Sequence, residues 1–279
     1  MAEKASLRDK LPKILYRYRC FDRDGYHLDL IKKAQLWCAS PKEFNDPFDV
    51  AIPFRFDKAD RATKLRWAQE YLKRMKPDLN YQQRRQLARK RLLEIKKQPD
   101  YWENVQKWFF EYLYELLGMC CLTAVKDNLL MWSHYSDKHK GFCVGVDTEK
   151  LVSLQISLAL SLKGLEVERV QYTDKVPDID FFTSKLSNDQ WKKDFATLIS
   201  TKSKHWAHER EYRLIYWGHP NTTLEIGYDA ITEIILGCRT TDADKANLLS
   251  IIKQTECNAK VFQARKHARR FSLEFERIV

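Results

Sequence analysis

Between about residues 57 and 117 the hydrophobic period changes, and this change constrains the fold more than any other feature of the 279-residue chain. Inside that block Leu65, Ala68, Leu72 and Met75 recur at helical spacing. Val105, Trp108, Tyr112 and Leu116 do the same after Pro99, where Asp100 with Glu103 offers a capping box. The flanks read differently. "KILYRYRCF" (13–21) alternates as a strand, a short helix follows at 28–35, and "LWCAS" (36–40) is a second strand. After the helical block come "MCCLTAV" (119–125), a short helix in "NLLMWSHYSDKHK", and "FCVGVD" (142–147). Residues 152–162 place Val, Leu or Ile at every even position, which predicts a strand buried on one face, with a short helix as the competing reading. "LEVERVQY" (165–172) is another strand, and Ser187 with Gln190 caps a helix running to about 206. A strand at 211–217, "ITEIILG", a helix at about 241–254, "KVFQAR" and "FSLEFERI" complete the chain.

This order predicts the α+β class: one domain over residues 1–279, with a mixed, mainly antiparallel β-sheet core and a basic all-helical insertion at about 57–117. No apolar run approaches the roughly 20 residues that span a bilayer, and the polar N-terminus lacks a secretory h-region, so a cytoplasmic protein without membrane contact is expected. Seven scattered cysteines with no C-x-x-C fit neither a disulfide framework nor a zinc ribbon and read as packing thiols. No G-x-G-x-x-G, P-loop or G-x-S-x-G is present.

The net charge of +11 is unevenly placed. "YQQRRQLARKRLLEIKKQ" (81–98) holds seven Lys/Arg against one Glu, and "ARKHARR" (264–270) forms a second cluster. Each suits a solvated face, or a surface meeting nucleic acid.

Chemistry-bearing residues concentrate around "KHWAHEREYRLIYW" (204–217). At strand period Glu209, Glu211 and Arg213 share a face. His205, His208 and Glu209 stand in the order H-x-x-H-E, which matches no zinc-protease signature, so no metal is assigned. Asp46, Asp49, Glu209 and Glu211 supply carboxylates for a metal-dependent nuclease, although the next residue on the glutamate face is Arg213 rather than Lys. On the first strand Arg17 and Arg19 share one face and Tyr16 and Tyr18 the other. A guanidinium pair opposite a glutamate pair would hold pyrophosphate at one end of a ligand and stabilise a ribosyl cation at the other. An Arg–Glu cross-strand ladder needs no ligand at all, and both readings stay open. In "FNDPFD" (44–49), Asn45 and Asp46 are turn formers beside Pro47, with Phe44 and Phe48 as anchors, in a loop that serves structure or a ligand. Trp132 and Tyr135 share a helix face, for core packing or for stacking on a base or nicotinamide ring.

"LYRYR", "ASPKEFNDPFD", "LLMWSHYSDKHKGFCVGVD", "HWAHEREYRLIYW" and "ITEIILG" resemble, in this order, a bacterial family recorded as a domain of unknown function, whose members are met near defence or mobile-element genes. N-D-P-F-D, M-W-S-H-Y and W-x-x-E-x-E-Y-R carry that likeness. A more distant resemblance is to ADP-ribosyltransferases of the DNA-targeting toxin type. It implies an ADP-ribosyltransferase-like sheet, NAD as cofactor, and transfer of ADP-ribose to a macromolecule as a defence or toxin effector. Glu211 would be catalytic with Glu209 as its orienting neighbour. Arg17, Tyr18, Arg19, Asn45, Asp46, Trp132, Ser133, His134 and Tyr135 would bind the cofactor. No S-T-S motif precedes E-x-E in the expected strand, although Ser200, Thr201 and Ser203 lie upstream. A metal-dependent nuclease and a non-enzymatic sensor or interaction module are the alternatives.

Overall fold

The computed structural model describes residues 11–22, 24–160 and 164–279. In chain order the elements are β1 (Ile14–Arg19), α1 (Asp29–Lys32), β2 (Gln35–Cys38), β3 (Phe54–Arg55), α2 (Arg61–Met75), α3 (Tyr81–Lys96) and α4 (Tyr101–Leu116). There follow β4 (Leu117–Thr123), α5 (Leu129–Tyr135), β5 (Phe142–Asp147), α6 (Thr148–Leu160), β6 (Leu165–Arg169), β7 (Gln171–Thr173) and β8 (Ile179–Asp180). The remainder is α7 (Phe181–Leu186), α8 (Asn188–Ser200), β9 (Thr201–Ser203), β10 (Glu211–Trp217), β11 (Thr222–Glu225), β12 (Ile231–Leu236), α9 (Asp242–Lys253), β13 (Lys260–Lys266) and β14 (Leu273–Arg277). The class is α+β.

Two compact units form. The first comprises Met1–Glu43, Glu115–Val170 and Lys204–Val279; the second comprises Phe44–Tyr114 and Gln171–Ser203. The first unit is built on an eight-stranded sheet in the order β14-β13-β12-β5-β1-β4-β10-β6. Every neighbouring pair is antiparallel except β12–β13, whose parallel pairing follows from the crossover through α9. One face buries Leu15, Leu122, Val144, Leu214 and Ile234 against Leu151 of α6, Leu248 of α9 and the β2–β11 hairpin-like pair. The other buries Tyr16, Tyr18, Cys143 and Ile235 against Met131 and Trp132 of α5.

The second unit packs an aliphatic cluster of Ala68, Leu72 and Ala88 beside a cluster of rings. Phe54, Phe56, Trp67, Trp102, Phe181 and Phe182 interlock, with Phe56 5.0 Å from both Trp102 and Phe181. The helical block expected at 57–117 is therefore completed by a later stretch: β3 pairs with β8 at Phe54–Ile179, and α7 supplies two of the rings. Asp60 caps α2, and Asn80 with Gln83 forms a reciprocal capping box on α3. Arg85, Arg89, Lys90 and Arg91 of α3 are exposed.

Residues 152–160 are helical, not a strand, and 161–162 lie outside the described residues. Alternation over-read a helix whose buried side carries Leu151 and Leu154 at i, i+3. The decisive signal is the start: Asp147 Oδ1 accepts from the backbone N–H of Glu149 at 2.7 Å and of Lys150 at 3.3 Å, so Asp147 acts as an N-cap. The helix expected to reach 206 ends at Ser200, where β9 begins. Among the described residues no helix is long and apolar enough to cross a membrane.

Candidate functional site

Strand register decides which side chains can meet. Tyr16 of β1 pairs with Thr123 of β4, and Thr123 pairs with Glu211 of β10. Directly opposed residues share a face, so Tyr16, Thr123, Glu211 and Arg213 project to one side of the sheet. Arg17 and Arg19 alternate with Tyr16 and Tyr18 in an unbroken register with β5, and they project to the other side. The expected arrangement, a guanidinium pair facing the glutamate pair, is therefore not formed. A period-two pattern gives the faces of one strand but not how they align with another strand's, which only pairing fixes.

On the glutamate side the charges are closed among themselves. Glu211 and Arg213 are both buried, with Arg213 Nε 2.9 Å from Glu211 Oε1. Glu209 does not extend the strand. It ends a 3₁₀ segment (Lys204–Glu209), and Arg210 at φ 44° turns the chain before β10 starts. Its carboxylate accepts a hydrogen bond from the Tyr135 hydroxyl at 2.5 Å, and its carbonyl accepts one from Thr123 Oγ1. Farther along this face Glu233 accepts from the Tyr16 hydroxyl at 2.6 Å and from Lys126 Nζ at 3.0 Å. Gly145 permits that approach: a Cβ there would stand 2.8 Å from Glu233 Cγ and 3.1 Å from the Tyr16 ring. Burial and Glu233 push the Tyr16 hydroxyl upwards, so it stays a donor. Across from Arg213 on β6, Glu168 is raised by burial and by neighbouring Glu166.

On the arginine side, which also carries the Leu15–Val144 core, the cations have no hydrogen-bonded carboxylate among the described residues. Arg17 Nη1 donates to the Cys121 carbonyl, while Arg17 Nε is buried without a hydrogen-bond partner among the described residues. Arg19, two residues on, makes no side-chain hydrogen bond or ion pair among the described residues. Burial and the neighbouring Arg17 push it down, to about 9. A guanidinium keeps its proton in a protein, so such a penalty is relieved by a counter-anion rather than by neutralisation. Arg19 lines a cavity of about 610 Å³ with Tyr26, His27, Lys33 and Trp37. The acid in that lining, Asp29, is engaged by Lys33 at 2.9 Å.

The sequence reading missed His27, Tyr26 and Trp37. Asp22 organises the loop of the first two, accepting from the backbone N–H groups of Tyr26 at 2.8 Å and His27 at 3.0 Å. The His27 ring lies with Nδ1 3.0 Å from the Cys20 carbonyl oxygen, and burial and Arg19 lower it from 6.5. One signal was available. Leu36 and Cys38 of β2 are core, so at period two Trp37 must face away from them, and it is 42% exposed.

The remaining expected residues divide. Trp132 is fully buried, donates its indole N–H to the Lys126 carbonyl at 2.8 Å and meets Tyr18 edge-on at 5.1 Å, so it is core and offers no free ring face. Tyr18 donates its hydroxyl to the Val125 carbonyl at 3.0 Å. Ser133 and His134 are exposed. Asn45 and Asp46 belong to the second unit. There Asp46 Oδ1 accepts from the Phe48 N–H at 3.0 Å, an Asx turn, and Asp49 pairs with Lys202 at 3.4 Å. Phe48 is exposed and anchors nothing. Among the described residues no group of three or more His, Cys, Asp or Glu is arranged to hold a metal ion.

The profile of a family described as "Protein of unknown function (DUF2971)" matches residues 131–214. That stretch contains both glutamate contacts, Tyr135–Glu209 and Glu211–Arg213. No curated protein and no solved structure matches the chain.

Proposed function

We propose that this chain binds a phosphate-bearing nucleotide, with NAD the first candidate, and that Arg17 and Arg19 hold its phosphates. One observation carries the reading: two adjacent guanidiniums share a face with no carboxylate hydrogen-bonded to either, and one of them lines a cavity. Burial and Arg17 push Arg19 down, a cost that a bidentate phosphate offsets, whereas Arg17 is held up against burial by Cys120, Cys121 and Glu211. Trp37 and Tyr26 supply exposed rings beside the cation, suited to a base.

The test is calorimetric titration of NAD, ADP and inorganic pyrophosphate into the wild-type protein and Arg19→Met. Binding of all three that weakens by about tenfold or more in the variant supports the reading, in line with about 1.5–3 kcal/mol for a charged hydrogen bond. No binding of any phosphate compound, or unchanged binding in Arg19→Met, overturns it.

Transfer of ADP-ribose to a macromolecule, in a defence or toxin role, is the second reading. It is favoured by the oriented, buried carboxylates of Glu209 and Glu211. It requires the C1′–nitrogen bond to break with nicotinamide taking the electron pair, while an acceptor nucleophile bonds to C1′ beside a carboxylate. The guanidinium pair and the glutamates face opposite sides of the sheet, so binding ranks ahead of transfer. Label passing from radiolabelled NAD to lysate macromolecules, lost in Glu209→Gln and Glu211→Gln variants that remain folded, would reverse that order.

A further inference from the structure

A second cleft, of about 550 Å³, lies beside the turn that joins β13 to β14. Arg239, Lys266, Arg269 and Arg270 line it, together with His139 and His267, and no Asp or Glu belongs to that lining. The nearest acid contact is on one histidine, His267 Nε2 lying 3.4 Å from Glu274. His139 is set into the cleft by a left-handed run, Asp137 to His139, and its ring lies parallel to buried Trp132 at 6.3 Å. Its Nδ1 is buried with no hydrogen-bond partner among the described residues. Phe271, also in the lining, is fully exposed. A hydrophobic ring in water at the tip of a tight turn contributes nothing to the core, and arginines precede it directly.

We propose that this cleft binds single-stranded nucleic acid, with a base stacked on Phe271 and successive phosphates on Arg269, Arg270, Lys266 and Arg239. The charge is unbalanced, so the occupant is anionic. It is spread over a cleft rather than focused on one point, so the anion is extended. The ring between cations calls for a flat aromatic group alternating with the charge. An unpaired nucleotide strand has that alternation, whereas in a duplex the base faces are stacked inside and cannot reach Phe271. The inference is independent of the Arg19 cavity, which shares no lining residue with this cleft.

The experiment is fluorescence anisotropy with a labelled oligothymidylate, an oligouridylate and a duplex of equal length, over a salt series. Single strands should bind more tightly than duplex. Phe271→Ala should weaken them about tenfold with the salt slope unchanged, and Phe271→Trp should restore affinity. The double change Arg269→Ala with Arg270→Ala should flatten the logarithmic salt slope by about 0.7 for each phosphate left without its cation. Equal affinity for duplex, indifference to Phe271→Ala, or binding only to anionic lipid vesicles overturns the proposal. Arg19→Met should leave oligonucleotide binding intact, so failure here and failure of the nucleotide site are read separately.

Discussion

The two faces of β1 carry the same kinds of atoms in opposite conditions. On the tyrosine face three carboxylates have internal partners: Glu211 has Arg213, Glu209 has the Tyr135 hydroxyl, and Glu233 has Tyr16 and Lys126. On the arginine face Arg17 hydrogen-bonds only a carbonyl, although Glu211 helps to hold it up, and Arg19 makes no hydrogen bond or ion pair among the described residues. A closed face is a structural solution, because a buried ion must be paired for the fold to tolerate it. A buried cation without a carboxylate costs stability, and the proposed phosphate would offset that cost at Arg19. The carboxylates of the tyrosine face are thus accounted for by the fold, and the proposed nucleotide site rests on the arginines instead.

Breaking the closed face should produce the largest effect. Glu211→Ala removes the carboxylate 2.9 Å from Nε of the fully buried Arg213, and unfolding in denaturant should show a loss of about 3–5 kcal/mol. Replacing both partners, Glu211→Leu with Arg213→Leu, should recover most of that loss. A double variant as unstable as the single would show that the pair is not the unit. Glu233→Ala comes next, at about 2 kcal/mol, since it strands the Tyr16 hydroxyl while Lys126, half-exposed, returns to water. Tyr16→Phe alongside it should restore part of the difference, which a double-mutant cycle would read directly.

These contrasts also explain what could be read before folding. The strands β1, β5, β10 and β12, the helical block and the Ser187 cap were legible because each depends on local period or local hydrogen bonding. The separation of Arg17 and Arg19 from Glu211 was not, because facing is a property of two strands and their register. Glu209 was misplaced for a related reason. Nothing in E-x-E announces that Arg210 takes a left-handed φ of 44°, which ends the 3₁₀ segment and begins the strand one residue later. The helix at Thr148–Leu160 was misread although its Asp147 cap was in view, since alternation and helical spacing coexist in "VSLQISLALSL". The cavity beside Arg19 draws on residues 19 to 37 and on Thr223, and no motif spans that distance.

Opening the contrast from the other side should give a gain. Arg19→Met removes a half-buried cation with no carboxylate and keeps the volume of its stem, so the free protein should be unchanged or up to about 1 kcal/mol more stable. The same substitution on the closed face, Arg213→Met, should be strongly destabilising. Equal losses at both positions, measured in the same denaturant series, would erase the distinction between the faces.

The smallest effect is a pH dependence, and its sign distinguishes an empty from an occupied cavity. His27 is held below its ordinary 6.5 by burial and by Arg19, against the opposing influence of Asp22 at 3.8 Å. Asp22 is itself kept low, despite burial, by the His27 backbone N–H and by the ring, so it stays ionised while His27 titrates. The nearby Cys20 thiol is raised, chiefly by burial, and remains neutral. Between the depressed folded value and 6.5 the unfolded chain binds more protons than the folded one, so stability rises with pH across that window. Stability contributed by neutral His27 is therefore complete above 6.5 and is lost as pH falls through 6.5 towards the folded value. A phosphate seated on Arg19 places negative charge beside the imidazole, raises the folded pKa and flattens the slope. Denaturation between pH about 5 and about 8, with and without pyrophosphate, should show the acid-side loss only in its absence. His27→Gln should abolish the difference between the two series. An identical slope with and without the anion would mean that the cavity does not take phosphate next to His27.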